Sequence, residues 1–523
     1  MIMRLGTGLI ATLLVTAAST SAAAEVGDFY NIIAPNGADP WVYRHSDGWY
    51  YATDSTGGMV VLRRSRTITG LGGAESRVAW RPQRGTPYGR EIWAPEIHFL
   101  RGRWYIYVAA DDGANPHHRM VVLENASPDP FRGEFAFKGK LADPTTDRWA
   151  IDGSVLKLGE GDSERLYFVW SGWAGDINVD QRIYIAPMSD PLTISGPRVE
   201  LSRPSFAWEE AAGPPTINEG PVALLHGGRV FLVYSAAGSW SDRYCLGLLA
   251  LKPGGDPLDP RAWTKAPEPV FASTQEVIAP GHCSFTKSPD GKEDWLVYHA
   301  AKRPGSGWSR SIRTQPFGWT TDGLPDFGRP LSPDRPIPVP SGEPGRLRLE
   351  AEAAGLEGGA RGETDASCSG GSFVTGLRGQ DSRVTFEVNV PNAGDYVAAV
   401  RYRGGGRTQA IERYALLVDG RPAGAVSYPD SGGRRCSSTF VRLRLKVGGN
   451  RVALVGGLRD VEVDCLDVIL DPTQGVSIPA RAVPDGARPS NFRNADPVVG
   501  KEFASGAEKP SCNTTILPLA GRE

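Results

Sequence analysis

Residues 216–235, TINEGPVALLHGGRVFLVYS, place an acid, Glu219, between Asn218 and Gly220-Pro221 at the head of a long apolar run. The run reads as two strands rich in β-branched and aromatic residues, joined at a Gly-Gly turn. A carboxylate at the mouth of a buried strand must pair, meet water or do chemistry, because an isolated buried charge is costly to desolvate. Taken alone, Glu219 would be a structural group. Its surroundings recur along the chain, and that changes the reading.

The second strand of this hairpin, GRVFLVYSAAG from 228, has four counterparts: DGWYYATDS from 47, RGRWYIYVAADD from 101, ERLYFVWSGW from 164 and EDWLVYHAAK from 293. Aligning Trp49, Trp104, Leu166, Val230 and Trp295 gives separations of 55, 62, 64 and 65 residues. Most follow a turn signal such as SDG, LRG, HGG or PDG. The first strands repeat as well: ADPWVYRHSDG, APEIHFLRG, IDGSVLKLGEG, NEGPVALLHGG and GHCSFTKSPDG. Each opens on an ionisable or metal-capable residue, namely Asp39, Glu96, Asp152, Glu219 and His282. Radial repetition of short sheets predicts a five-bladed β-propeller whose inner strands meet at a central channel. Between residues 30 and 340 no sustained 3.6-residue apolar period supports helices. The repeat therefore brings Asp39, Asp152 and Glu219 to one pocket.

Length and composition agree with a propeller followed by something else. A chain of 523 residues exceeds what one hydrophobic core usually supports. All 14 tryptophans lie between Trp41 and Trp319. From about Arg346 the pattern becomes alternating strands with Gly turns, as in RLRLEAEAAGLEGGA, YVAAVRYRGG, RYALLVDGRPAG, FVRLRLKVGGNRVALVGG and VEVDCLDVIL, which predicts a β-sandwich of jelly-roll type over residues 346–472. The Pro-rich stretch 329–345 is a linker or closing arm, and residues 473–523 have no clear class.

The formal net charge of −2 with interspersed signs gives no basic stripe for nucleic acid, so a neutral partner is expected. Residues 1–24 carry one Arg, an apolar stretch and small residues ending in Ala22-Ala23-Ala24, the pattern of a cleaved secretory signal. The apolar run is too short and too interrupted for a membrane span, so a secreted or periplasmic monomer is expected. Export allows disulfides. Cys368, Cys436, Cys465 and Cys512 admit 3 pairings, while Cys245 and Cys283 either pair or stay free. No CxxC spacing suggests zinc.

Three convergent carboxylates suit glycoside hydrolysis, in which a protonated acid frees the leaving group and an ionised base activates water. Clustering raises the pKa of one member and keeps it protonated near neutrality. GADPWV, WAPE, AIDGSV, NEGP and GHCSF, in this order and spacing, resemble glycoside hydrolase family 43 over about residues 28–335, with HHRMVVLE, IYIAPMSDP and SFTKSPDG resembling its α-L-arabinofuranosidase branch. The resemblance implies an inverting, five-bladed enzyme with Asp39 as general base, Glu219 as general acid and Asp152 as pKa modulator and orienter. It implies no cofactor for the chemistry. It also implies that His282 is an axial histidine approaching a hydrated metal ion, commonly calcium, in the channel. Cys283 stands where Asn is expected in relatives, a departure in that shell. Trp93, Trp41 and Trp173 are candidate sugar-stacking residues by their nearness in sequence to the trio, and Glu96, Arg310 and Arg313 are candidate polar contacts.

LEAEAA and CLDVIL in the C-terminal part resemble carbohydrate-binding modules of the family 6 and 35 type, which implies a structural calcium site at Glu350, Glu352 and Asp467. The module has no Trp, so sugar stacking would fall to Tyr or Phe. The reading is thus an exo-acting hydrolase releasing L-arabinofuranose from arabinan or arabinoxylan of the plant cell wall. The alternatives are a β-xylosidase of the same family and a non-catalytic, lectin-like propeller. A β-fructosidase would need NDPN-like and RDP motifs and a sialidase repeated SxDxGxTW boxes, and the sequence contains neither.

Overall fold

The computed structural model describes residues 24–404, 411–432 and 435–470. Most of the proposed leader, the tail from 473 and Cys512 lie outside the described residues. The rest is built almost entirely of strands, in the order the repeat requires.

Five sheets of four principal strands follow one another. The first blade is Trp41–Arg44, Tyr50–Thr53, Val60–Ser65 and Glu75–Trp80, and the second is Arg90–Leu100, Arg103–Asp111, Arg119–Asn125 and Ala136–Leu141. The third comprises Ala150–Leu158, Arg165–Trp173, Asp180–Asp190 and Val199–Ser202. The fourth comprises Thr216–His226, Arg229–Ala236, Cys245–Leu251 and Trp263–Lys265, and the fifth Ile278–Lys287, Asp294–Ala301, Arg310–Trp319 and Pro325–Asp326. The hairpin that opens the sequence argument is the inner pair of blade 4, with Val222 opposite Val233 and His226 opposite Arg229.

A sheet blade is stable only if both faces are covered, and the apolar clusters show how neighbours cover one another. Tyr51 and Leu62 of blade 1 pack with Ile97 and Trp104 of blade 2, and Tyr107 of blade 2 packs with Phe168 and Trp170 of blade 3. Val169 and Ile183 meet Leu232 and Tyr234, Phe231 and Val233 meet Leu296 and Tyr298, and Trp295 and Val297 return to Tyr50 and Phe29. Each cluster joins two blades, and the last joins blade 5 to blade 1. The ring is fastened there by residues preceding blade 1. Ile33 and Ala34 donate their amides to Ile312 O, and the Asn31 amide side chain bridges both backbone groups of Thr314. The Pro-rich stretch is a closing arm, not a spacer: Pro336–Pro338 pairs with Asp28–Tyr30, and Ile337 is buried with Phe29 and Trp295.

Beyond it, a second core holds two facing sheets, one containing Arg346–Glu350, Gly394–Gly404, Ser437–Leu445 and Val461–Ile469, the other Arg383–Val390, Glu412–Val418, Arg421–Tyr428 and Gly448–Val455. This is the expected sandwich. Ala24–Val26 adds to its edge, with Ala24 opposite Arg348. Ala24, placed at the end of the leader by sequence, therefore belongs to the folded body, because the open edge of Arg346–Glu350 accepts another strand. The five described cysteines are all buried thiols, and Cys368 and Cys436 share one small cluster with Phe373.

Candidate active site

A residue in the left-handed region stands at or near the entrance of every inner strand, Asp39 at φ 53°, Ala94 at 43°, Asp152 at 56°, Gly220 at 57° and His282 at 41°, with Glu91 at 46° and Ala279 at 51° as a second one in blades 2 and 5. In blades 2 to 5 the ladder register shifts at that point. Such bulges re-aim side chains, and non-glycine residues held there store local strain that the surrounding ladders must hold in place. The fivefold kink turns the strand entrances toward the channel. It also corrects the alignment made from sequence: Glu219 stands one residue before its kink and Glu96 two residues after its own.

Asp39, Asp152 and Glu219 do converge. The Gly220 amide, next to Glu219, donates to Asp152 Oδ2 at 3.0 Å. Asp39 Oδ2 accepts from Ser55 Oγ at 2.6 Å, and its Oδ1 lies 3.2 Å from His282 Nδ1 and 3.6 Å from an Arg310 guanidinium nitrogen. Burial works to raise the Asp39 carboxyl, but His282, His299 and Arg310 outweigh it and hold it well below the usual carboxylate range. Glu219 goes the other way. Burial and the Asp39 charge push it up to about 7, against a hydrogen bond from Tyr244 Oη at 2.7 Å and the Arg310 charge. Asp152 is pushed well up by burial, then by Glu219 and Asp39. One site thus holds an ionised acid beside a protonated one, the division of labour that general acid–base hydrolysis requires.

The acid is set by a buried polar network that sequence reasoning missed. Asn218 is fully buried. Its carbonyl accepts from Ser171 Oγ, and its side chain bonds Ser202 Oγ and Glu209 Oε1 at 2.7 and 2.9 Å. Glu209 also accepts from Tyr234 Oη and pairs with Lys265 Nζ at 2.6 Å. Tyr244, His299 and Ser55 were missed as well. His299 Nδ1 accepts the Asp39 amide at 3.0 Å, and its ring stacks on Tyr244 with centroids 5.7 Å apart. The only signal was position: His299 falls near the end of its repeated second strand and Ser55 just past the end of its own.

Other candidates divide. Arg310 belongs to the site: it bonds Ser239 O at 2.7 Å and sits 5.9 Å over the Tyr244 ring. Arg313 does not. It is buried toward Tyr298 and Asp334, because residues three apart on a strand lie on opposite faces. Glu96, as buried as Asp152, is bonded to His98 Nε2 at 3.0 Å and pushed up by burial and the Asp152 charge, so it lies behind Asp152 in the channel. Trp173 is 3 % exposed and stacked on Trp149, which makes it core and not a sugar contact. Trp41 is wedged between blades, its indole donating to Ile97 O at 2.7 Å and its ring against His98. Trp93 is half-buried and stacked on His118 with centroids 3.9 Å apart. His282 turns Nδ1 to Asp39 and belongs to no convergent set of three ligand atoms among the described residues. The side chains there do not form a cage for a directly held cation.

Tyr244→Phe removes a hydrogen bond that favours ionised Glu219. Activity needs Glu219 protonated and is lost as pH rises through its pKa. The alkaline limb of kcat/KM, expected near 7 in the native protein, therefore moves upward in Tyr244→Phe. A limb that stays put or moves down would show that the bond does not act on the titrating acid.

In the sandwich, Asp467 is taken by Arg348, whose Nε and terminal nitrogen each lie 2.8 Å from its oxygens, so it is not part of a cation site. Asp464 is also paired, its Oδ2 with Arg401, but its Oδ1 is left without a partner and takes that place. Glu350, Asp464 and Cys465 present ligand atoms within 4.8 Å of one another, and Glu350 Oε2, Glu352 Oε2 and Asp464 Oδ1 are buried without hydrogen-bond partners. A Cβ on Gly370 would stand 2.9 Å from Glu352 Oε1 and 3.3 Å from Glu350 Cδ, so both glutamates close on one spot. Orphaned carboxylate oxygens around a glycine fit a hard cation such as calcium. All seven aromatic side chains of the module are withdrawn from solvent. Six are buried, and Phe440 packs toward Gly72 of the propeller, where a Cβ would come within 2.4 Å of its ring.

The family model of glycosyl hydrolases family 43 matches residues 31–325. The chain belongs to this family. It is therefore an inverting glycoside hydrolase. Residues 347–471 match the carbohydrate binding module family 35 model. An extracellular exo-α-(1→5)-L-arabinofuranosidase of Streptomyces avermitilis is 37 % identical over 325 residues, 60 % of this chain and 66 % of that protein, and one of the same description from Streptomyces chartreusis is 37 % identical over 53 % of this chain and 84 % of its own length. An α-L-arabinofuranosidase of Humicola insolens is 35 % identical over 65 % of this chain and 70 % of that protein. Among solved structures, the α-L-arabinofuranosidase from Lactobacillus brevis superimposes with a TM-score of 0.54 at 36 % identity, covering 58 % of this family 43 chain and 97 % of its own. No helix among the described residues is long and apolar enough to cross a membrane.

Proposed function

We propose that this family 43 enzyme is an exported, exo-acting α-L-arabinofuranosidase that releases L-arabinofuranose from arabinan or from arabinoxylan side chains. The observation that carries the reading is the convergence of two carboxyls in unlike surroundings: Asp39 beside the Arg310 guanidinium, His282 and the Ser55 hydroxyl, and Glu219 buried under Tyr244, where burial and the Asp39 charge push it up to about 7. Asp39 takes a proton from the attacking water as general base. Glu219 protonates the departing glycosidic oxygen, and Asp152 orients it through the Gly220 amide. The sugar is chosen by analogy with the relatives, which are named arabinofuranosidases, two of them extracellular. Export by a leader ending before Ala24 agrees with those two.

The test is chromatographic. The pure protein is incubated with arabinan, arabinoxylan and unsubstituted xylo-oligosaccharides, and arabinose alone is the expected product. Xylose from the last substrate would transfer the assignment to β-xylosidase, and no sugar from any of them would leave a carbohydrate-binding propeller.

We also propose that Glu350, Glu352 and Asp464 hold a structural calcium ion in the sandwich. Bound calcium would neutralise their mutual repulsion and tie the segment around Gly370 to the core. Chelation is expected to lower the melting temperature of the native protein, calcium to restore it, and Glu350→Gln with Glu352→Gln to abolish the difference. Equal melting with and without chelator would remove this ion.

A further inference from the structure

Among the described residues of the propeller three large aromatic side chains stay exposed: Phe137 at 44 %, stacked on Trp80, and two tryptophans, Trp240 at 37 % and Trp308 at 45 %. The tryptophans come from different blades, and one residue joins them. The Trp308 indole N–H donates to Ser239 Oγ at 3.1 Å, and Trp240 is the next residue after Ser239. The Trp240 indole packs close to Gly238, where a Cβ would come within 2.7 Å of it. Gly238, at φ 68°, is required both by its conformation and by that close approach. The indole is thus held against Gly238 while more than a third of its residue stays exposed.

Ser239 also connects this pair to the chemistry. Its carbonyl accepts from Arg310 at 2.7 Å, and the other end of the same guanidinium lies 3.6 Å from Asp39 Oδ1. The loop that carries Trp240 runs on to Tyr244, whose amide bonds Ser241 O and whose hydroxyl bonds Glu219. The general acid protonates the leaving group, and Glu219 is bonded from the 238–244 loop through Tyr244, so this loop is next to the group that departs. The second loop, 303–309, is fixed beside it by the Gly305 amide on the Asp242 carboxylate at 2.9 and 3.0 Å.

We propose that Trp240 and Trp308 form a stacking platform for the sugar units of the leaving group, the one or two residues of an α-linked arabinofuranose chain next to the bond that is cut. Sugar rings present C–H faces, and a rigid, partly exposed indole is the side chain that binds them at least cost in conformational entropy. The platform explains the tryptophans' exposure beside an otherwise buried catalytic pocket, and it makes the enzyme sensitive to what lies beyond the terminal sugar. This rests on the arabinofuranosidase reading for the identity of the sugar, though not for the position of the platform.

The experiment measures kcat and KM for Trp240→Ala and Trp308→Ala, with Trp240→Phe and Trp308→Phe as conservative controls. The substrates are methyl α-L-arabinofuranoside and α-1,5-linked arabinobiose, arabinotriose and arabinotetraose. The alanine variants are expected to lose about tenfold in kcat/KM on arabinotriose, chiefly through KM, with a smaller loss on the methyl glycoside and partial recovery in the phenylalanine variants. A loss of equal size on the methyl glycoside and the triose would mean that the tryptophans only brace Arg310 and Tyr244, and would overturn the proposal, as would no loss on any substrate. If the native protein cuts xylo-oligosaccharides and not arabino-oligosaccharides, the sugar assignment fails, and the same dependence on chain length, measured on the xylo series, supports the platform or overturns it.

Discussion

Glu219→Gln lowers kcat for arabinose release from arabinotriose by about 10²- to 10⁴-fold, the range ordinarily supplied by a positioned general acid. The loss depends on the leaving group. A sugar alkoxide cannot depart without a proton, whereas 2,4-dinitrophenolate can, so on the dinitrophenyl arabinofuranoside Glu219→Gln retains far more of its native rate. Asp39→Asn removes the group that activates water, and a good leaving group does nothing to replace it, so its loss is comparable on both substrates. The two substitutions are nearly isosteric, and each keeps an oxygen for its hydrogen bond from Tyr244 or Ser55, so neither needs to disturb the fold. Their melting temperatures check this. If Glu219→Gln loses equally on both substrates while Asp39→Asn is spared on the dinitrophenyl glycoside, the two roles are reversed. If both keep native rates, the chemistry is elsewhere.

The hairpins are legible in the sequence because a blade's second strand is covered on both faces by its neighbours and reads as an unbroken aromatic and β-branched run, which no helix period imitates. Asp39, Asp152 and Glu219 are legible because they fall at the same place in successive runs. Depth within the channel is not. The left-handed kink lies on Ala94 in blade 2 and on Gly220 in blade 4, so an alignment by acidic residues brings Glu96 to the pocket when the register sends it to His98. Asp467 and Asp464 differ by three positions on one strand and face opposite ways; both meet an arginine, and only the ladder, which sets Arg348 across from Asp467, tells that Asp467 has both oxygens bonded while Asp464 keeps one free beside Arg401. Tyr244 and His299 act through contacts between blades. Such contacts depend on how the ring closes, and neither residue belongs to a local pattern that announces it.

Arg348 is where closure of the propeller and attachment of the sandwich meet, and its substitution is expected to have the largest effect on stability. Its side chain is 8 % exposed and grips Asp467, at 6 %, through two bonds of 2.8 Å, while its remaining nitrogen reaches Asp28 at 2.8 Å. Asp28 opens the strand that pairs with the closing arm at Pro336–Pro338, and Tyr30 in that strand lies under Arg348 and Arg401, 4.7 and 3.9 Å from their guanidinium carbons. Arg348→Ala strands Asp467 as a buried, unpaired charge, which costs about 3–5 kcal/mol. The loss is read as a lower urea midpoint at unchanged slope. Arg348→Met combined with Asp467→Leu removes both charges and fills the same space, so it recovers most of that stability. What it does not recover is the Asp28 contact, a half-exposed pair worth at most about 1 kcal/mol. The cycle therefore separates the pair's net contribution from the penalty of breaking it. A double variant as unstable as Arg348→Ala alone would mean that the arginine holds the two bodies together through Asp28 and Tyr30, and that the pair with Asp467 is incidental.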